Sequence, residues 1–220
     1  MTGASIAILA GGRSSRFGHG NKCLHKIRGK SMISWIIEAC RSLGYPIFIV
    51  FKDSRQAEEY KIFSKEIYED VKIVFDEEFS DIHAPIIGLI SALKYSKTKV
   101  TLVLPCDSPF PNRDVVSFLV RLCLLNDTDA VVPRWPNGYL EPLHAAYKTD
   151  AMYKACIDLI TTEHNFKISC AIKRLTRVLY VSTNVLKNMD TKLTTFLNVN
   201  SKRDLELLKG VVGGYVARSR

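Results

Sequence analysis

No apolar run in this 220-residue chain approaches the roughly 18 residues that a membrane-spanning helix requires, the longest being Pro46 to Phe51. The opening stretch MTGASIAILAGG has no Lys or Arg before its short apolar run and passes straight into glycines, so it does not read as a signal peptide. There is no CxxC and no Cys/His group at zinc spacing among the cysteines at 23, 40, 106, 123, 156 and 170. The expectation is reduced, mostly buried thiols, Cys106 included, in a cytoplasmic protein without a disulfide framework. Linker-like Pro/Ser/Gly tracts, low-complexity segments and internal repeats are missing too. One domain over 1–209 is therefore expected, with a flexible tail over 210–220. With 47% hydrophobic and 24% charged residues, the composition excludes a disordered, collagen-like or coiled-coil chain.

Acid is scarce where it matters. The net charge is +9, and Arg13, Arg16, Lys22, Lys26, Arg28 and Lys30 all precede the first acid, Glu38. A one-sided basic segment concentrates anions such as phosphates. A nucleic-acid binder would suit the charge, but the chain has no recognisable reader motif and none of the aromatic interleaving of single-strand binders.

The hydrophobic pattern alternates strand with helix. Ser5 to Leu9 reads as a buried strand entering Ala10-Gly11-Gly12. Ser31 caps a helix with Ile33, Ile36, Ile37, Cys40 and Leu43 on one face and Gly44 as its stop. Strands follow at Pro46 to Phe51, Lys72 to Phe75, Val100 to Leu104, Ala130 to Pro133, Leu143 to Tyr147, Val178 to Val181 and Phe196 to Val199. Helices are expected over Arg55 to Ile67, Pro85 to Tyr95, Pro111 to Leu125, Asp150 to Ile160, Lys167 to Leu175 and Ser201 to Lys209. This rhythm predicts an α/β fold: a Rossmann-like three-layer sandwich, mostly parallel, with helices on both faces of the sheet.

Ligands of open α/β sheets sit beyond the carboxyl ends of strands. Two such ends carry chemistry. The first, Leu9-Ala10-Gly11-Gly12-Arg13-Ser14-Ser15-Arg16-Phe17-Gly18, lets backbone N–H groups approach phosphate, with Arg16 and Lys22 to neutralise it. It is neither GxGxxG nor GxxxxGK[ST]. The second, Leu104-Pro105-Cys106-Asp107-Ser108-Pro109, ends an apolar strand in a carboxylate suited to Mg²⁺ beside phosphates. Prolines between Asp107 and the next helix weaken the reading of Asp107 as a mere cap. His19 and His25 read as exposed loop residues, Trp35 as packing and Trp135 as part of the turn Trp135-Pro136-Asn137-Gly138.

These blocks in order, with Glu141-Pro142-Leu143 and Phe196-Leu197-Asn198-Val199-Asn200 after them, resemble the molybdenum cofactor guanylyltransferases among the nucleotidyltransferases of Rossmann-like fold. The resemblance runs from residue 5 to about 209. It implies that Leu9, Ala10, Gly11, Gly12, Arg16, Lys22, Asp76 and Asp107 contact the nucleotide, with Arg16, Lys22 and Asp107 catalytic and Asp107 holding Mg²⁺. Residues Ile82 to Gly88 look like the family's base-reading segment, with Ala84 where glycine is usual; Asn21 stands where many relatives have Asp. Glu141, Asn198 and Asn200 would meet the acceptor, so that about 1–133 binds nucleotide and about 134–209 binds acceptor. The implied partners are GTP, molybdopterin or molybdenum cofactor, and molybdenum-insertion or molybdoenzyme proteins, with neither nucleic acid nor membrane.

The implied chemistry is attack by the terminal phosphate of molybdopterin on the α-phosphorus of Mg·GTP, with pyrophosphate leaving. Two anions must meet, so positioning and charge neutralisation should carry catalysis, and no nucleophilic triad is needed. Other readings are a nucleotidyltransferase using CTP or another acceptor, such as cobinamide phosphate or a sugar phosphate, and a nucleotide-binding protein without turnover. Intact Lys22 and Asp107 argue against the last.

Overall fold

The computed structural model describes residues 3–11, 22–63, 71–76, 84–201 and 204. Strands β1 (Ala4–Leu9), β4 (Ile47–Phe51), β5 (Lys72–Phe75), β6 (Val100–Pro105), β7 (Ala130–Arg134), β8 (Ala145–Lys148) and β9 (Val178–Ser182) form one sheet, ordered β5-β4-β1-β6-β8-β7-β9. Only β8 runs against its neighbours β6 and β7, and the remaining pairs are parallel. Two-residue strands β2 (Lys26–Ile27) and β3 (Lys30–Ser31) make a small separate hairpin whose turn places Arg28 and Gly29 at positive φ.

Strand residues alternate between two faces, and each face is sealed by helices. On one side Ile6, Ile8, Leu102 and Leu104 join Ile33, Ile36 and Ile37 of α1 (Met32–Arg41), Ala57 and Tyr60 of α2 (Ser54–Phe63) and Val115, Val116 and Leu119 of α4 (Arg113–Leu125). On the other, Val103, Ala130 and Val132 pack with Ile86, Leu89 and Ile90 of α3 (Pro85–Tyr95) and Met152, Cys156 and Leu159 of α5 (Thr149–Glu163). This is the expected α/β sandwich. No helix among the described residues is long and apolar enough to cross a membrane.

Local chemistry sets the ends. Ser31 Oγ accepts from Ser34 N at 3.2 Å and starts α1, as expected. Asn112, not Pro111, caps α4 by accepting from Asp114 N at 2.9 Å and Val115 N at 3.2 Å, so Asp107 is not a helix cap. Far from the strands' carboxyl ends, Ser5, Ser96, Thr98, Thr101 and Thr149 join hydroxyls at 2.8–3.1 Å, which satisfies polar groups that the central strands bury.

Three expectations change. Phe196 to Val199 is no strand: Thr194–Phe196 is a 3₁₀ turn followed by irregular chain, because buried Asp190 claims its backbone. The helix expected over Lys167 to Leu175 shrinks to α6 (Ile168–Ile172), and α7 (Thr183–Leu186) is a short helix that periodicity did not reveal. Residues 64–67 of the helix expected over Arg55 to Ile67, most of the helix beginning at Ser201 and the tail over 210–220 lie outside the described residues. Ser201 Oγ nonetheless accepts from Asp204 N at 3.2 Å, as an N-cap does.

Asp190 is 4% exposed and its Oδ2 accepts from Thr195 N and Thr195 Oγ1, each at 2.8 Å, while Thr194 Oγ1 donates to Oδ1 at 3.1 Å. Thr195 Oγ1 in turn accepts from Asn112 N at 3.0 Å, tying this turn to the start of α4. Asp190→Ala strands these buried donors and should cost about 3 kcal/mol of stability in urea unfolding, the scale of losing a charged acceptor. A cost below about 1 kcal/mol would mean that the turn re-pairs without it.

Candidate active site

The register of β1 with β6 places Leu9 beside Pro105, so both sequence blocks emerge at the same edge of the sheet. Leu9 O accepts from Cys106 N at 3.0 Å, and Ala10 N donates to Val50 O at 2.8 Å. The end of β1 is thus fixed from both sides.

Across this edge Lys22 Nζ lies 2.9 Å from Asp107 Oδ2 and donates to Asn200 Oδ1, also at 2.9 Å. Three residues from distant parts of the chain, each a predicted site residue, meet at one ammonium group. The Lys22 and Asp107 side chains are 16% and 29% exposed, partly shielded yet open to a ligand. Val199 N donates to Asp107 O at 2.8 Å, and Asn198 Oδ1 accepts from Ser108 Oγ at 2.6 Å. The turn after β6 and the Asn198–Asn200 segment are therefore one hydrogen-bonded unit.

A second cluster forms around Asp76. A Cβ at Gly11 would stand 3.2 Å from Asp76 Oδ2 and 3.3 Å from Lys52 N, so a side chain there would push these neighbours back by a few tenths of an ångström. A Cβ at Gly88 would lie 3.6 Å from Asp76 Oδ1 and 3.8 Å from the Leu9 side chain. Leu9, Gly11, Asp76 and Gly88, all in segments that the resemblance assigns to the nucleotide, thus converge. Asp76 Oδ1 is buried and has no hydrogen-bond partner among the described residues. Burial pushes this carboxyl up to about 6, against the opposing pull of Ser91 and Lys52. Ala84, in place of the family's glycine, has φ −137° and ψ 147°, extended backbone that any residue adopts.

Glu141 follows the Trp135 turn. Its Oε1 accepts from Trp135 Nε1 at 2.6 Å and its Oε2 lies 3.4 Å from His144 Nδ1. Burial raises the Glu141 carboxyl, but the His144 and Trp135 contacts more than offset it and hold the group below its ordinary value. Trp135 and buried His144 both stand edge-on to Phe196, at ring separations of 5.9 and 5.2 Å. Trp135, read from sequence as a turn residue, therefore orients Glu141. The turn between them brings the two together, through the Arg134–Leu140 bridge and the bond from Trp135 N to Tyr139 O at 2.8 Å.

Gly12, Arg16 and His19, with Ile82 and His83, lie outside the described residues. His25 is half-buried, not exposed, with its N–H donated to Lys22 O at 3.2 Å and its carbonyl accepting from Met32 N. Trp35 packs on Phe110 as expected and donates to Ile27 O at 3.1 Å.

The cysteine expectation is overturned at this edge: Cys23 and Cys106 form a disulfide, with Cα atoms 5.5 Å apart. Spacing could not show it, because the two are 83 residues apart and meet only through the β1–β6 pairing. Cys40, Cys123 and Cys156 are free and buried, and Cys170 is free and half-buried.

For Mg²⁺ the donor set is suitable. Among the described residues no three His, Cys, Asp or Glu side chains form a cage. Mg²⁺ at a nucleotide needs only one or two carboxylates, the phosphates and water, and Asp107 with the amide oxygen of Asn200 nearby supplies hard oxygen ligands of that kind.

Similarity to known proteins covers nearly the whole chain. Residues 6–174 match the profile of the MobA-like NTP transferase domain. A probable molybdenum cofactor guanylyltransferase of Pyrococcus horikoshii is 33% identical over 202 residues, 92% of this chain and 97% of that one. One from Clostridium perfringens strain 13 is 31% identical over 210 residues, covering 94% and 96%. The crystal structure of molybdopterin-guanine dinucleotide biosynthesis protein A from Archaeoglobus fulgidus superposes with a TM-score of 0.78 at 26% identity, covering 96% of this chain and 99% of that one.

Because Asp76 binds a proton more tightly folded than unfolded, its contribution to stability is complete below about pH 4 and is lost as pH rises through about 6. Asp76→Asn should remove that loss. The Tm difference between variant and parent should grow in the variant's favour from about pH 4 to about pH 7; a difference independent of pH would contradict the assignment.

Proposed function

We propose that this chain, which belongs to the MobA-like NTP transferase family and is a nucleotidyltransferase, transfers GMP from GTP to the terminal phosphate of molybdopterin or molybdenum cofactor in the cytoplasm, releasing pyrophosphate. The observation that carries the reading is the meeting of Lys22, Asp107 and Asn200 at the edge where the glycine loop leaves β1. Guanylyltransferase relatives at 31–33% identity support the choice of nucleotide and acceptor. In this reading 1–133 serves the nucleotide and 134–209 the acceptor.

The acceptor phosphate is already ionised at neutral pH, so no side chain has to remove a proton from it. Lys22 and Arg16 are assigned to triphosphate charge, Lys22 exchanging its contact with Asp107 for phosphate oxygens. Asp107, with Asn200, would hold Mg²⁺, whose contribution when bound is to neutralise the phosphates and orient the leaving pyrophosphate. The glycine loop is assigned to phosphate from Gly11 onward, the Ala10 N–H being taken by Val50 O. Asp76 presents acceptor oxygens at the base-binding corner, where guanine offers an N–H edge that adenine lacks. Glu141, oriented by Trp135, and Asn198, held by Ser108, are assigned to the pterin side.

Asp107→Ala should lower Mg²⁺-dependent pyrophosphate release by at least about a hundredfold with an unchanged circular dichroism spectrum, consistent with losing several kcal/mol of charge stabilisation. Near-normal release would remove Asp107 from the metal role. Lys22→Ala should weaken NTP binding far more than Lys26→Ala, since Lys26 is exposed on the hairpin; equal effects would make the basic segment a diffuse patch.

Calorimetric titration with Mg²⁺ and GTP, CTP or ATP tests the base. GTP should bind at least roughly tenfold tighter than ATP, the effect of one unpaired polar group worth about 1.4 kcal/mol. Equal affinities, or a preference for CTP, would overturn guanylyl transfer and leave nucleotidyl transfer standing.

A further inference from the structure

Each half of the Cys23–Cys106 bond is the sequence neighbour of a charged site residue: Lys22 precedes Cys23, and Asp107 follows Cys106. The bond and the 2.9 Å Lys22–Asp107 ion pair therefore run side by side between the same two segments. The rest of the bond's surroundings belong to the same edge, with Cys23 Sγ 3.9 Å from Ala10 O and Cys106 N bound to Leu9 O. No other pair among the cysteines is bonded.

We propose that Cys23–Cys106 is a reversible dithiol–disulfide site that sets how tightly the nucleotide pocket is held together, the oxidised form binding nucleotide more tightly. The inference rests on the nucleotidyltransferase reading of Lys22 and Asp107. With the bond closed, the 3₁₀ turn Lys22–Leu24 is fixed covalently to the end of β6, and the cation and carboxylate are presented at a fixed separation. With it open, the turn is held by hydrogen bonds and packing, and part of the binding free energy goes to restoring that order.

The redox partner is a small thiol and its disulfide, R′SH and R′SSR′. Cys106 is 7% exposed against 1% for Cys23, and its neighbour Asp107 is open to solvent, so Cys106 Sγ is the sulfur attacked. The thiolate R′S⁻ forms a mixed disulfide with Cys106, the Cys23–Cys106 bond breaks, and Cys23 leaves as a thiolate that takes up a proton. A second R′S⁻ attacks the R′ sulfur, releasing R′SSR′ and the Cys106 thiolate, which is protonated. Two R′SH are oxidised, two cysteines are reduced, and the two protons pass from the small thiols to the protein. Oxidation is the reverse.

Reciprocity supplies a readout independent of turnover. If the oxidised form binds nucleotide more tightly by some factor, saturating nucleotide must shift the dithiol–disulfide equilibrium towards the disulfide by the same factor.

The full chain is equilibrated in reduced and oxidised glutathione at graded ratios, denatured, and its thiols counted by mass-tagging alkylation with peptide mass spectrometry. Cys23 and Cys106 should appear together as free thiols across the titration, the other four remaining free throughout. Calorimetry with Mg·GTP, and separately with Mg²⁺ and pyrophosphate as a base-free probe, should show at least fivefold tighter binding to the oxidised form. Saturating Mg·GTP should move the glutathione midpoint by the same factor. The Cys23→Ser, Cys106→Ser double variant should bind like the reduced parent and ignore the redox buffer, while Cys170→Ser keeps the full response. Failure of the two thiols to interconvert in the native protein, or equal affinities of the two forms, overturns the proposal and leaves nucleotidyl transfer intact. Absence of binding by either probe to either form overturns the nucleotidyltransferase reading, and the coupling with it.

Discussion

The parallel pairing of β1 with β6 is the constraint on which the rest depends. It sets Leu9 beside Pro105 at the centre of the sheet, with hydrogen bonds from Cys106 to Leu9 on one side and from Ala10 to Val50 on the other. Parallel strands present the same end to the same edge, so two loops more than 80 residues apart emerge as neighbours. A one-residue slip would turn Ile6 and Ile8 away from α1 and α4 and send each loop out on the wrong side. The alternation of buried residues on both faces makes that slip costly. Site geometry is thus protected by the core, not by the loops themselves.

What could be read from the sequence follows from how local its causes are. The strands and most helices were legible because period-two and helical patterns, Ser31 as a cap and Pro85 in a first turn act within a few residues. Asp107 was legible because a carboxylate at the end of an apolar strand has few packing reasons to be there, Lys22 because it follows a glycine loop in an acid-free segment, and Asp76 only through the family resemblance. The Cys23–Cys106 bond was hidden because it depends on register between strands. The Thr194–Phe196 turn was hidden because Phe196 and Val199 look strand-like in isolation, and only the buried carboxylate of Asp190, a residue unremarkable in the sequence, claims the Thr195 N–H just before them.

The segments proposed for the acceptor are built differently from those proposed for the nucleotide. Gly11 and Asp107 closely follow the central strands β1 and β6, and Lys22 is bonded to Asp107, whereas Glu141 and the asparagines sit on irregular chain held by small polar networks. Asp190 anchors the Thr194–Thr195 turn, Phe196 separates Trp135 from His144, and Ser108 reaches Asn198 across to the β6 turn. Asp190 holds its turn with several hydrogen bonds, whereas Trp135 reaches Glu141 and Ser108 reaches Asn198 by one each.

The charges at the edge explain how one site can be stable empty and still receive a polyanion with its cation. Without ligand, Lys22 and Asp107 neutralise each other at 2.9 Å, and Asn200 satisfies a further N–H of the ammonium. In the proposed reaction the triphosphate takes Lys22 and Mg²⁺ takes Asp107, so one ion pair is exchanged for two and neither protein charge is left uncompensated. An unpaired charge in a partly buried position would cost far more than the pair contributes. Asp76 has no such arrangement: its Oδ1 is buried without a partner among the described residues, and its carboxyl is pushed up to about 6 as a result. The phosphate half of the proposed site is therefore compensated before binding, while the proposed base-binding corner holds a buried acceptor oxygen. In the proposed reading, discrimination between bases falls to that corner, because a donor on the correct base relieves a cost that the folded protein already bears, and a base without that donor leaves the cost in place.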